Sequence, residues 1–120
     1  MRKIRMDEKD IRLADGTLFS VKVNFYTLYL INKTNIEQLS KKLERENKKE
    51  KKDEKRILDI EMEIAKNIIY VIMRSNGKKV DKEEAMMLTP VDPHEIEDLM
   101  NEFADKMEKL KKKEGMKMQG

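Results

Sequence analysis

Residues 56–75, RILDIEMEIAKNIIYVIMRS, carry the strongest helical pattern in the chain. Apolar residues recur there at spacings of three and four, which places them on one face of a helix. This face consists of Ile57, Ile60, Ile64, Ile68, Val71 and Ile72, and it is widened by Leu58, Met62, Ala65, Ile69 and Met73. A helix that is apolar over so much of its circumference is usually buried on several sides. We therefore predict that this helix is the centre of the fold, and that Asn76-Gly77 ends it.

A β-hairpin is predicted near the N-terminus. The strand-forming residues of this region are Ile11, Leu13, Leu18, Val21 and Val23. They are interrupted by Ala14-Asp15-Gly16, and Asp-Gly is a strong signal for a short hairpin turn. Because an isolated hairpin is only marginally stable in water, we expect this one to pack on the helices that follow.

Four further helices begin at residues whose side chains can accept a hydrogen bond from an N–H of the first turn. The predicted caps and helices are Asn24 with 25–31, Asn35 with a helix that points Ile36, Leu39 and Leu43 inward, Asp81 with 82–88, and Asp92 with 93–113. In the first of these helices, Phe25, Leu28 and Tyr29 share one face. The predicted fold is mainly α (α+β), with the N-terminal β-hairpin packed on a bundle of about four helices.

The chain length of 120 residues fits a single domain, predicted over residues 1–115. A charged insert interrupts the apolar pattern near 44–55. The composition of 48–55 is almost entirely Lys, Glu and Asp, which favours a connector between helices over a solvated helix end but leaves both open. Residues 116–120 are predicted to be a disordered tail.

Composition restricts the class of protein. Charged residues make up 42% of the chain, yet they nearly balance, at a net charge of +3. The absence of Cys excludes a disulfide framework and a thiolate metal site. No segment approaches the ~18 consecutive apolar residues of a membrane span, and the charged first ten residues do not form a secretory signal. We expect an intracellular protein that does not associate with membranes.

No catalytic, cofactor or metal site is predicted. The single histidine, His94, is expected to be an exposed residue in the first turn of the last helix. The glycines match neither phosphate-binding loop pattern, and no EF-hand or H-E-x-x-H motif is present. Paired carboxylates are frequent, but they fall beside lysines on polar helix faces. We therefore expect a protein that is not an enzyme.

Nucleic-acid binding is the less favoured functional class. Lysines concentrate at 41–56 and 109–113, which is the kind of charge that phosphate groups attract. Acidic residues are interleaved through the first of these runs, where they would repel phosphate, and the run has no aromatic residue on which a base could stack. A small nucleic-acid-binding regulator is kept as the alternative.

The last helix and the tail contain the candidate partner-binding residues. Methionine is flexible and polarizable, so it suits surfaces that adapt to several apolar partners. On this helix Ile96, Leu99 and Phe103 are predicted to belong to the core. The residues predicted to bind a partner are Met100, Met107, Leu110, Met116 and Met118. Of these, Met107 and Leu110 are expected to be partly exposed, because lysines flank them.

Five segments occur in an order that resembles a known family. They are GTLFSVKVNF (16–25), LYLINK (28–33), AKNIIYVIMRSNG (65–77), EEAMMLTP (83–90) and EIEDLMNEF (95–103). In this order they resemble the tail assembly chaperones of long-tailed phages and prophages of Gram-positive bacteria. The insert near 44–55 departs from that pattern, because it is longer and richer in lysine.

The resemblance implies a non-enzymatic chaperone without cofactors. Its protein partners would be the tape measure protein and the tail tube protein. It would act in the host bacterial cytoplasm and be absent from the mature virion. A longer, frameshifted product often accompanies such chaperones. The sequence leaves open the oligomeric state and the existence of that product here.

Overall fold

The computed structural model describes residues 10–119, with side chains described over 10–112. The elements, in chain order, are β1 (Asp10–Arg12), β2 (Leu18–Ser20), α1 (Phe25–Ile31), α2 (Ile36–Asn47), α3 (Glu54–Ser75), α4 (Lys82–Leu88) and α5 (Pro93–Gln119). The fold is mainly α, with an N-terminal hairpin packed against the helices. This arrangement confirms the predicted fold class.

The hairpin forms where the Asp-Gly turn predicts it. β1 and β2 pair antiparallel, with Ile11 opposite Phe19, and both of these side chains are buried. Gly16 adopts φ +88°, a left-handed conformation that suits glycine. The Asp15 carboxylate accepts hydrogen bonds from the hydroxyl and the backbone N–H of Thr17, at 2.7 and 3.0 Å, and these bonds lower the pKa of Asp15.

The helix α3 is the centre of the bundle, as its wide apolar face predicts. The helices α1, α2, α4 and α5 all contact it. Its buried apolar residues are Ile60, Ile64, Ala65, Ile68, Ile69, Val71 and Ile72. The helix ends at Ser75, and Gly77 follows with φ +90°, as predicted for the residue past a helix C-terminus.

Two of the predicted caps form complete capping boxes. In α1, Asn24 and Thr27 exchange hydrogen bonds between side chain and backbone, and in α4, Asp81 and Glu84 do the same. The prediction for Asn35 was wrong. Its side chain caps no N–H of α2, and its Oδ1 instead accepts a hydrogen bond from Nδ2 of the buried Asn67, at 3.2 Å.

Half of the insert near 44–55 is helical, and residues 48–53 form a connector between α2 and α3, as the composition of 48–55 favours. Ion pairs of Glu46 stabilise the end of α2, which lies within the charged run. The side chain of Glu46 is buried, and it forms ion pairs with Lys49 at 2.9 Å and Arg56 at 3.2 Å. The hydrogen bond from Lys49, helped by the positive charge of Arg56, lowers the pKa of Glu46. Opposite charges therefore hold the two helix ends together beside the connector.

The last helix extends to Gln119, beyond its predicted end near Lys113. Gly115 disfavours helix by about 1 kcal/mol relative to alanine, which is too little to end a helix by itself. The disorder of the tail 116–120 stays a prediction. Ile96, Leu99 and Phe103 are buried, which confirms their assignment to the core.

Candidate partner-binding groove

An open groove runs between α2 and α5, and α3 forms its floor. Both outer helices pack on α3, while direct contacts between α2 and α5 are few. The gap between them has a volume of about 680 Å³ and opens to solvent. This volume lies in the range of about 300–1,000 Å³ that is typical of ligand pockets.

The inner surface of the groove is apolar and comes from four helices. The apolar lining consists of Ile31 at the end of α1, Ile36 in α2, Ile64 and Ile68 in α3, and Met100, Phe103, Ala104 and Met107 in α5. The residues from α5 recur at spacings of three and four, so they form a stripe along one side of that helix. The groove is therefore elongated along α5.

Charged and polar side chains of α2 and α5 form the rim. Glu37 and Ser40 line it on α2, and on α5 the polar lining residues are Asn101, Glu108, Lys111 and Lys112. Charges of both signs are thus present at the mouth of an apolar surface. Such a rim keeps the mouth of the groove hydrated, and its charges can orient a charged partner.

The methionines predicted to bind a partner have different positions. Met100 is half-buried and Met107 is buried, and both line the groove. The prediction that Met107 is partly exposed was wrong, because its side chain is only 5% exposed and packs toward the core. Leu110 is half-buried against the core and is not a lining residue. The side chains of Met116 and Met118 lie outside the described residues.

Among the lining residues, only Met100 and Met107 were predicted as site residues, and the four isoleucines are among those that the sequence did not identify. Ile31, Ile36, Ile64 and Ile68 each carry a helical apolar pattern that is equally typical of core. Local spacing shows that they face inward but not that a gap lies above them. The gap arises because α2 and α5 dock on α3 apart from each other, which depends on the whole bundle.

A pair of like charges lies where α5 packs on α3. The Glu61 side chain is partly buried, and this loss of solvent raises its pKa. The negative charge of Glu97 raises it further. This pKa shift follows from the close packing of the two helices. By itself it does not indicate a catalytic site.

His94 is exposed at the start of α5, as predicted. Within the described part of the chain, no group of three or more His, Asp or Glu side chains is placed to hold a metal ion. Among the described helices, none is both long enough and apolar enough to cross a membrane.

Comparison with protein families, curated proteins and solved structures found no match to this chain.

Proposed function

We propose that this protein is a non-enzymatic tail assembly chaperone that holds an amphipathic helix of a partner protein in the groove between α2 and α5. The open apolar groove is the observation that supports the proposal most strongly. A helix laid in a hydrophobic groove is a recurrent mode of protein recognition, in which apolar side chains at helical spacing enter the groove.

The shape of the groove suits a helix. Its lining on α5 extends from Met100 to Lys112. At 1.5 Å per residue this stretch is about 18 Å long, or roughly three helical turns. A partner helix lying beside α5 would place its apolar face on the half-buried Ile31 and Met100 and on the exposed Ala104. Its polar face would remain in water. The floor residues Ile64 and Ile68 lie beneath this surface and are 2% and 1% exposed.

The chemistry of the lining suits a partner of variable sequence. Met100 and Met107 form part of the wall, and methionine side chains adapt to differently shaped apolar groups. The rim offers Glu37 on one side and Lys111 and Lys112 toward the end of α5. A matching partner helix carries a basic residue near Glu37 and an acidic residue near Lys111.

The partner identities come from the resemblance to phage tail assembly chaperones. They are the tape measure protein, which is long and helical, and the tail tube protein. The proposed place of action is the host bacterial cytoplasm, and the chaperone would be absent from the mature virion. These assignments extend the groove binding to named partners, and each has its own test.

Co-expression tests the proposal. The tagged protein is co-expressed with the candidate tape measure and tail tube proteins and recovered in the presence of nuclease. We expect the tape measure protein to be recovered with the wild type. Ala104→Glu places a charge on an exposed residue of the groove and should reduce this recovery at least tenfold. Ala14→Glu is the matched control on an exposed residue outside the groove.

Each outcome is decisive. Loss of recovery with Ala104→Glu alone supports the groove as the binding site. Equal recovery with both variants excludes the groove. Recovery of nucleic acid and no protein in a parallel preparation without nuclease would replace the chaperone proposal with the alternative, a small nucleic-acid-binding regulator. Finding the protein in purified particles would contradict its proposed absence from the virion.

A further inference from the structure

The exposed face of α1 carries a cluster of aromatic side chains. Phe25, Tyr26 and Tyr29 are 57%, 47% and 55% exposed. The chain contains only six Phe and Tyr residues in total, so half of them lie on this helix surface. Large apolar groups that cluster on a surface mark interaction sites more often than isolated ones do.

The surface around this cluster is built from segments without acidic residues. Residues 16–36 and 64–80 contain no Asp or Glu, although the chain has 24 of them. These two segments lie side by side. Thr27 donates to the Ser75 hydroxyl at 2.7 Å near one end of α1, and Asn67 donates to Asn35 at 3.2 Å beyond the other. The helix α1 therefore runs antiparallel to the second half of α3.

Exposed lysines lie in the same two segments. Lys22, Lys33, Lys78 and Lys79 are exposed, and within residues 10–112 no carboxylate forms an ion pair with them. Lys33 lies over the ring of Tyr29, with Nζ 5.1 Å from the centroid. Because their charges have no ion-pair partner there, these lysines keep their full attraction for an anionic group.

Lys22 and Lys78 share one hollow beside the N-terminus of α1. The backbone carbonyl of Lys22 accepts a hydrogen bond from Nδ2 of Asn76 at 2.9 Å, which holds the β2–α1 linker against the turn after α3. Both lysines line the resulting hollow, which has a volume of about 620 Å³. Asp15 also lines it and stays negatively charged, because its hydrogen bonds from Thr17 lower its pKa, so two lysines face one carboxylate in this hollow.

The acidic residues that border the two segments are engaged elsewhere. Glu63 forms an ion pair with Lys66, and Asp81 accepts a hydrogen bond from the backbone N–H of Glu84 at the start of α4. Glu37 lies on the rim of the groove. The two segments themselves contain lysines and no acidic residue, so the surface of α1 and the adjoining turn after α3, defined as the basic aromatic surface, is positive and apolar at once.

We propose that the basic aromatic surface binds an acidic segment of a partner protein in which apolar residues alternate with Asp and Glu. Charge complementarity selects this occupant, since the lysines attract carboxylates while the three rings cover apolar side chains. The Tyr hydroxyls can also donate hydrogen bonds to carboxylates. This inference concerns a second surface and does not depend on the proposed occupant of the groove.

Two other occupants fit less well. A symmetric pair of copies would bring the same lysines of both chains together, and like charges oppose each other. Single-stranded nucleic acid needs free ring faces for base stacking. Here Tyr26 and Tyr29 stack on each other, with centroids 5.9 Å apart and an angle of 21°, and Lys33 lies over Tyr29. The ring faces are partly occupied by the protein itself.

Fluorescence anisotropy with the full chain tests this inference. The probe is a labelled peptide that alternates Glu with Leu, and the comparison probes are the same peptide with Gln for Glu and a labelled oligothymidylate. Replacing Lys22, Lys78 and Lys79 with Gln should weaken binding of the acidic peptide about tenfold. Replacing Lys48, Lys51 and Lys52 with Gln removes the same charge from the connector and should change binding less than twofold.

A second pair of variants separates charge from folding and from the groove. Lys22→Glu with Lys78→Glu should exchange the preference, so that a Lys-Leu peptide binds better than the Glu-Leu peptide. Ala104→Glu should leave binding of the acidic peptide unchanged. The proposal is overturned if the acidic peptide does not bind, if its Gln counterpart binds equally well, or if the connector variant or Ala104→Glu loses as much affinity. Tighter binding of oligothymidylate would assign the surface to nucleic acid instead.

Discussion

The helices α1 and α5 both carry apolar residues at helical spacing. The helix α5 buries this face, whereas α1 exposes most of it. In α5 the residues at helical spacing, Ile96, Leu99 and Phe103, are buried. Of the three patterned residues of α1, Phe25 and Tyr29 face solvent and Leu28 is half-buried against the core. The buried residues of this helix are Thr27 and Leu30. A periodic pattern thus identifies side chains that share a face, and the neighbouring elements decide whether that face is buried.

The difference has a physical origin in the N-terminal cap of α1. Thr27 serves both the cap and the contact with α3. Its hydroxyl accepts from the N–H of Asn24 at 2.9 Å and donates to the hydroxyl of Ser75 at 2.7 Å. Buried polar groups need such partners. These hydrogen bonds help to turn the side of α1 that carries Thr27 and Leu30 toward α3, and they leave the aromatic side outside.

The largest expected effect comes from comparing one phenylalanine in each helix. Phe103→Ala removes a ring that is 6% exposed and should lower the free energy of unfolding by about 3–5 kcal/mol. Phe25→Ala removes a ring that is 57% exposed and should change it by less than about 1 kcal/mol. Chemical denaturation of both variants measures the difference. Similar losses in the two variants would mean that α1 buries its aromatic face.

An intermediate effect is expected at Thr27, the buried polar residue of α1. Thr27→Val keeps the shape but removes the hydroxyl that joins Asn24 to Ser75. We expect a loss of about 1–2 kcal/mol in the free energy of unfolding, because half of the capping box is lost and the part-buried N–H of Asn24 loses its acceptor. Thr27→Ser retains the hydroxyl and serves as the control in the same denaturation series. If the serine variant is as unstable as the valine variant, the hydroxyl does not orient α1.

The smallest effect concerns the inward packing of α5. Glu61 has a raised pKa because it is partly buried and because Glu97 is near. A carboxyl whose pKa is higher in the folded state disfavours folding once pH rises above its ordinary value of 4.5. Glu61→Gln should therefore stabilise the protein slightly at neutral pH, by at most about 0.5 kcal/mol. This gain should disappear below about pH 4.

Thermal unfolding at both pH values measures the Glu61 effect. Glu63→Gln is the matched control on the same helix, because Glu63 pairs with Lys66 and its removal should not stabilise. If Glu61→Gln lowers the stability at neutral pH as Glu63→Gln does, then burial and the charge of Glu97 do not raise the pKa of Glu61. The packing of α5 on α3 would then need revision.

The groove was only partly predictable from sequence. Met100 and Met107 were selected for the adaptable chemistry of methionine, and both line it. Leu110 was selected with them for its lysine neighbours, yet it packs against the core. Ile36 and Ile64 could not be recognised as lining residues. Their local patterns describe burial, and a gap above a buried residue depends on where two other helices dock.

The charged regions show the same limit. Basic residues concentrate in the run 41–56, which suggests a surface for phosphate groups. Within this run, however, Lys49 and Arg56 form ion pairs with Glu46. The lysines at 22, 33, 78 and 79 are scattered along the chain, and no window of sequence contains them all. Packing of α1 along α3 brings together the two segments that carry these lysines. Neither segment contains an acidic residue.

The amino-acid sequence by itself determined the features that depend on neighbouring residues. These are the Asp15-Gly16 turn, the caps at Asn24 and Asp81, the wide apolar face of α3 and the stop at Gly77, since each rests on local hydrogen bonds, backbone preference or helical spacing. Only the tertiary structure decided which face of α1 is buried, where the groove opens and which charges meet. Those outcomes depend on contacts between residues far apart in the chain, which local preferences do not encode.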